Sequence, residues 1–277
     1  MSNWSIAQVD IEQPAGIDLA SSRGTSIGRI SGANTWTAWV ELISTLPYDT
    51  GGMLLIAQNG YIAGNTSVTL LQLATGGPGS ENVFWTGPLT QHTTYHWETV
   101  IYIPISVPTG SRISARHIAS AAESNVNYAP QITIIPHART PRYPTATGTV
   151  NVYGVNVVTP AATTIDPGAT RNTRGTWTEI ASATTTNHHA LYICPSHVAG
   201  VSATRTGNIL YVGIGASGNE KIITAFNWMP ETTYALAPGI VGPLYHDIPV
   251  GTRISIASQS DTSANPGRLV GAWILAI

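Results

Sequence analysis

Few residues in this chain have the types and spacing that chemistry requires, and most of those fail on geometry. His92 and His96 have the i, i+4 spacing with which a helix presents two imidazoles to zinc. They lie in Thr90-Gln91-His92-Thr93-Thr94-Tyr95-His96-Trp97, a Thr- and aromatic-rich stretch that reads as strand or loop. On a strand the pair would stand ~13 Å apart, and the glutamate a metalloprotease carries between them is missing. Surface or packing histidines are the better reading. His188 and His189 are adjacent, so on a strand their rings point to opposite faces and cannot share a metal. Gly215-Ala216-Ser217-Gly218 has the wrong spacing for a Gly-x-Ser-x-Gly nucleophile turn. A phosphate-binding glycine loop ending in Lys-Ser/Thr is also missing. Cys194 is the sole cysteine, which excludes an internal disulfide and a multi-cysteine metal site. Its apolar approach, Ala190 to Ile193, predicts a buried and inert thiol.

Glu81 and Glu220 hold more interest, because each follows Gly and a small polar residue in a segment that occurs twice. Gly79-Ser80-Glu81-Asn82-Val83 answers to Gly218-Asn219-Glu220-Lys221-Ile222, a displacement of 139 residues. Pro108-Thr109-Gly110-Ser111-Arg112-Ile113-Ser114 returns as Pro249-Val250-Gly251-Thr252-Arg253-Ile254-Ser255, displaced by 141. Thr35-Trp36-Thr37 returns as Thr176-Trp177-Thr178 with the same displacement. Three landmarks in one order mark a tandem duplication of a domain-sized unit. One reading makes each glutamate a ligand-contacting or catalytic carboxylate. The other makes it a turn carboxylate that caps backbone amides or pairs with Arg112 and Arg253. The second is preferred, since no partner acid is evident at a repeated position.

These residues need a scaffold, and the texture of the chain is β throughout. The sequence has 27 Gly and 18 Pro, many Thr, Val and Ile, and no sustained helical period. Leu71 and Leu73, and again Leu210, Val212 and Ile214, alternate with their neighbours at period two. Asn59-Gly60 lies between the apolar run Met53 to Ala57 and Tyr61-Ile62-Ala63, and predicts a hairpin. In the corner repeat, Pro108 and Pro249 preset a turn, and Gly110 and Gly251 accept positive φ. Arg112 and Arg253 then lead into a strand. Residues 136–145, with three prolines, read as a linker between a first β-sandwich, 1–135, and a second, 146–277. About eight short strands per unit predict tandem jelly-roll-like sandwiches. An immunoglobulin-like sandwich is the alternative, although its Cys…Trp…Cys signature is missing.

Charge narrows the function. Only 9% of residues are Asp, Glu, Lys or Arg, against about 25% in ordinary soluble domains. Lys221 is the sole lysine and the formal net charge is −2, so neither a nucleic-acid footprint nor a polybasic membrane patch is indicated. The N-terminal stretch has no secretory pattern, and no apolar run approaches the ~20 residues of a membrane-spanning helix. Such a surface of Ser, Thr, Asn and Gln suits a protein packed against neighbours. A secreted β-rich protein is the plainer alternative. The recurring Trp36 and Trp177 are expected to serve core or inter-sheet packing. Trp85, Trp97 and Trp228 have no aromatic counterpart and are candidate surface contacts.

The chain resembles a family of tailed-bacteriophage virion structural proteins. Their Gly-Ser-Glu turn matches Gly79-Ser80-Glu81 and, less closely, Gly218-Asn219-Glu220. Their Ile-Pro-x-Gly-Thr-Arg-Ile-Ala corner matches Val107–Ser114 and, more closely, Ile248–Ser255. Gly175 to Ile180 is similar to the family's Gly-x-Trp-x-Glu-Ile stretch, and Asn34 to Trp39 follows it loosely. The resemblance implies a jelly-roll-like shell and a place in the particle, and it carries no catalytic residue. The expectation is a non-enzymatic virion component made in a host cytoplasm. It would be a capsid decoration or cement protein, or a head- or tail-attached spike or adaptor. Its partners would be other virion proteins and copies of itself, with no cofactor. The alternative is a carbohydrate-binding module that recognises host surface glycans through Trp85, Trp97 or Trp228. A glycan-degrading enzyme would need paired carboxylates about 5–10 Å apart on one face, and no such pair is legible.

Overall fold

The computed structural model describes residues 25–28, 32–58, 69–89, 98–120, 131–137, 150–196, 207–228, 240–262 and 270–277. All regular structure among them is β. The first unit has β1 (Thr25–Ser26), β2 (Val40–Ile43), β3 (Gly52–Gln58), β4 (Thr69–Thr75), β5 (Asn82–Pro88), β6 (Glu98–Ile103), β7 (Ile113–Ala119) and β8 (Gln131–His137). They form two antiparallel sheets ordered β1-β8-β3-β6 and β2-β7-β4-β5. That is the strand order of an eight-stranded jelly roll.

The second unit starts with β9 (Asn151–Tyr153), β10 (Val155–Asn156), β11 (Ala161–Ile165), β12 (Thr178–Ala181) and β13 (His188–Ser196). It continues with β14 (Asn208–Ile214), β15 (Lys221–Trp228), β16 (Val241–Ile248), β17 (Ile254–Ser260) and β18 (Val270–Ala276). Its sheets run β11-β18-β13-β16 and β12-β17-β14-β15, the same order as in the first unit, with β9 and β10 added beside β18 and β11. The two units also share irregularities. A bulge follows Glu41 in β2 and Glu179 in β12, and another lies between Leu73/Ala74 in β4 and Val212/Gly213 in β14.

Two details depart from the sequence reading. The Asn59-Gly60 turn lies outside the described residues, but β3 is already paired on both sides, with β6 and β8. β8 also extends to His137, so two residues of the stretch read as linker are strand, with Pro136 opposite Met53. The proline is tolerated because β1 pairs only with Gln131 and Ile132 and needs no amide at position 136.

The two sandwiches are not independent bodies. β5 and β6 are the edge strands on one side of the first sandwich. The outer face of the β13–β18 sheet lies against that side. Tyr192, Cys194, Trp273 and Leu275 are fully buried in one cluster with Leu55, Leu73, Trp85 and Ile103 of the first unit. Trp85 meets Tyr192 edge-on, with ring centroids 5.5 Å apart. Both edge strands are also capped by hydrogen bonds. Val150 N–H donates to the Phe84 carbonyl at 2.9 Å, and the Tyr192 hydroxyl donates to the Tyr102 carbonyl. Gly87 makes room, since a Cβ there would stand 2.4 Å from the Trp85 indole nitrogen. Among the described residues the indole N–H groups of Trp85 and Trp273 have no hydrogen-bond partner, so shape and apolar burial dominate this contact.

At the place of Trp85 the second unit has Thr224, by the register of β14 with β15. Trp85→Ala is expected to cost about 3–5 kcal/mol in urea unfolding, as for a large core truncation, and Thr224→Ala less than about 1 kcal/mol. Similar losses at the two sites would contradict a seal specific to the first unit.

Candidate functional site

The repeated corner is built alike in both units. Ser111 N–H donates to Pro108 O and Thr252 N–H to Pro249 O, each at 3.2 Å, with Gly110 and Gly251 at φ 80° and 81°. This is a type II turn, in which the third residue needs positive φ. The turn is anchored to the loop that follows the bulged strand, because Gly110 N–H donates to Leu46 O and Gly251 N–H to Thr184 O.

The arginine that follows joins three segments. Arg112 Nε donates to Glu41 at 2.8 Å, and its Nη1 donates to Gly76 O at 3.1 Å and to Glu81 at 3.4 Å. Arg253 Nε donates to Glu179 at 2.8 Å, and its Nη1 donates to Gly215 O at 3.4 Å and to Glu220 at 2.7 Å. The second oxygen of each inner glutamate accepts the Gly79 or Gly218 amide at 3.0 Å. The two structural readings of Glu81 and Glu220, turn cap and ion-pair partner, therefore hold together.

A partner acid does stand at a repeated position, contrary to the sequence reading. Glu41 and Glu179 do not align by a constant displacement, because four residues separate Trp36 from Glu41 and only one separates Trp177 from Glu179. The insertion breaks the constant displacement. Each guanidinium thus bridges two acids, an inner one with side-chain exposure of 7% or 2% and an outer one near one-half. Burial works against ionisation of Glu220. The Arg253 hydrogen bond, the Glu220 and Gly218 amides and the Arg253 charge outweigh it, so the carboxyl lies below the usual range. An acid held ionised in this way cannot donate a proton near neutral pH. The arrangement fastens a turn to two strands.

The other sequence candidates separate. Trp85 is fully buried in the inter-unit core, so its assignment to the surface is incorrect. Its role is fixed by the edge position of β5, where the second unit covers it. Trp97 lies outside the described residues, as do His92 and His96. Trp36 and Trp177 are half-buried: Trp36 packs against the core and Trp177 against Gly213, and each also lies beneath a guanidinium. Arg116 stands 4.7 Å from the Trp36 ring and 4.3 Å from Trp39, and Arg174 stands 4.9 Å from Trp177. His188 is buried against the Tyr153 hydroxyl at 3.0 Å, whereas exposed His189 pairs with Asp247 at 2.7 Å. Opposite faces of β13 receive them, as adjacency requires.

Trp228 does line an opening. A cleft of about 360 Å³ lies at one end of the β12-β17-β14-β15 sheet, between Asn172, Ile209, Asn227, Trp228, Gln259 and Asp261. Ile209 pairs with Asn227 and Gln259 in the second unit, just as Leu70 pairs with Pro88 and Ile118 in the first. Amides and an aromatic have replaced apolar groups that the first unit buries. Comparison of the two copies position by position would have exposed this difference in the sequence.

No family model matches the chain, and no curated protein matches it. Among solved structures it is similar to PNGF-II at 10% identity and a TM-score of 0.40, over 91% of this chain. The chain spans 64% of that protein's length. It is also similar to the N-terminal CBM22-1–CBM22-2 tandem domain of Xyn10C from Paenibacillus barcinonensis, at 10% identity and a TM-score of 0.22. That likeness covers 99% of both chains. Neither is close enough to bear on function.

Arg253→Ala leaves two carboxylates and a carbonyl without their shared donor. The melting temperature is expected to fall by about 5 °C or more, and a melting curve identical to wild type would remove the corner assignment. Glu220→Gln tests the charge. A depressed carboxyl contributes stability above its ordinary value of 4.5 and loses it as pH falls through the folded value. The deficit of Glu220→Gln at neutral pH should therefore shrink on acidification below about pH 4. A deficit constant down to pH 2 would mean the charge is immaterial.

Proposed function

We propose that this chain is a non-enzymatic structural protein of a bacteriophage virion. In this reading it is a capsid decoration or cement protein, or a head- or tail-attached spike or adaptor subunit. It acts by self-association and docking. The observation that carries the reading is the inter-unit contact, where an apolar sheet face covers the open side of a jelly roll with two hydrogen bonds and no ion pair among the described residues. A surface so poor in charge leaves recognition to shape and backbone hydrogen bonding. The repeated acids are engaged by arginine and turn amides, which supports mechanical over chemical use. Immunoblotting of a density gradient from the native lysate should place the protein with DNA-filled particles. Recovery in the light soluble fractions alone would sink the reading.

The cleft at Trp228 favours a second reading, a carbohydrate-binding adsorption module. An indole edge beside Asn, Gln and Asp side chains suits a sugar ring, which stacks on aromatics while its hydroxyls bond to amides and carboxylates. Host surface polysaccharide should then shift the tryptophan fluorescence, and Trp228→Ala should abolish the shift. A shift that survives Trp228→Ala would exclude this cleft.

A further inference from the structure

The inter-unit contact has two halves, and the chain carries each half twice. The covered half is the β5–β6 side of the first sandwich. Its counterpart is the β15–β16 side of the second, which shares the strand order and the bulge at Leu73/Ala74 and Val212/Gly213, although β16 pairs β13 through two register shifts that the β3–β6 pair lacks. Along β5 the residues from Phe84 to Pro88 are buried. Along β15 none is fully buried, Ile222 is 47% exposed, and Ile223 and Phe226 are half-buried. On β16, Tyr245 is 41% exposed. An apolar side sealed in one unit therefore stands uncovered in the other.

The covering half is the outer face of the β13–β18 sheet. Its counterpart is the outer face of the β3–β8 sheet, where Leu54 holds the place of Tyr192 and Ile56 that of Cys194. The register shows this, since Leu54 lies opposite Ile135 as Tyr192 lies opposite Leu275. Tyr192 and Cys194 are fully buried, whereas Leu54 and Ile56 are half-buried. Val100, paired with Ile56, is 55% exposed. Leu54, Ile56 and Val100 thus give this face an apolar, partly exposed patch, in the unit opposite to the uncovered edge.

We infer that copies of this chain associate head to tail. The β15–β16 side of one copy is sealed by the outer β3–β6 face of the next, in the placement the two units adopt internally but with Thr224 and Leu54 where Trp85 and Tyr192 meet. The inference rests on the self-association proposed above and specifies its surfaces. Unlike patches meet, so the contact is heterologous and generates a ring or an open filament. An isologous dimer would use one patch twice.

The test uses two variants of the full chain, Val100→Asp on the covering face and Ile222→Asp on the uncovered edge. Both residues are about half exposed, so both variants should fold. Unchanged melting curves check this, and Leu54→Asp and Tyr245→Asp provide a second pair. In analytical ultracentrifugation the wild type should form concentration-dependent assemblies, and each variant alone should sediment as a monomer. Mixed in equal amounts, they should form a heterodimer, because one intact patch of each kind remains. Two variants that both still assemble alone would overturn the inference and leave self-association through another surface. Variants that are monomeric alone and together would also overturn it, because an isologous patch behaves in that way. A wild type that is monomeric at every concentration would overturn both the inference and the self-association.

Discussion

The constraint on which the rest of the structure depends is the open side of a jelly roll. Two four-stranded sheets laid face to face leave two edge strands on each flank, with unpaired backbone groups and a view into the core. In the first unit the flank at β5 and β6 is closed by the second unit, whose Tyr192, Trp273 and Leu275 complete its core. Phe84 O and Tyr102 O receive donors from across the boundary. The first sandwich is therefore finished by the second, and the two share one hydrophobic cluster.

Within each unit the same sparing use of charge recurs. A chain with so few ionisable residues places one arginine between two glutamates at the corner of each sandwich. The inner acid also caps the turn preceding β5 or β15. Because guanidinium, carboxylates and turn amides bond to one another, the corner holds three segments in register, with the inner acid buried and the outer acid about half exposed. Elsewhere arginine lies flat on tryptophan. Arg116 on β7 covers Trp36 and Trp39, while Arg174, in the loop before β12, covers Trp177. The two units reach the same stacking from different positions in the chain.

Much of this was legible in the residues. Period-two runs, dense turn signals and the repeated corner indicated paired β-sandwiches, and Glu81, Arg112 and their copies pointed to a structural corner. Other features were hidden for physical reasons. The outer acids Glu41 and Glu179 were masked by an insertion that shifts the repeat. Trp85 looked like a surface residue because it has no aromatic counterpart. It has none because only the first unit is sealed at that point, and the second carries Thr224 there. The hairpin expected at Asn59-Gly60 lies outside the described residues, and β3 before it pairs with the non-local neighbours β6 and β8. A local turn signal does not report that both edges of β3 are taken.

The units thus differ where one is covered and the other is not, and also where a polar cleft replaces a buried apolar patch. Both differences fall on the second unit, at its β15–β16 side and at the Trp228 cleft. Hydrogen exchange of the dilute protein tests the underlying claim most directly. Amides of β5 and β6 should exchange slowly, near the rate set by global unfolding, while those of β15 and β16 exchange orders of magnitude faster. Equal, fast exchange in both pairs of strands would contradict the account, because it would show that the second unit does not close the first.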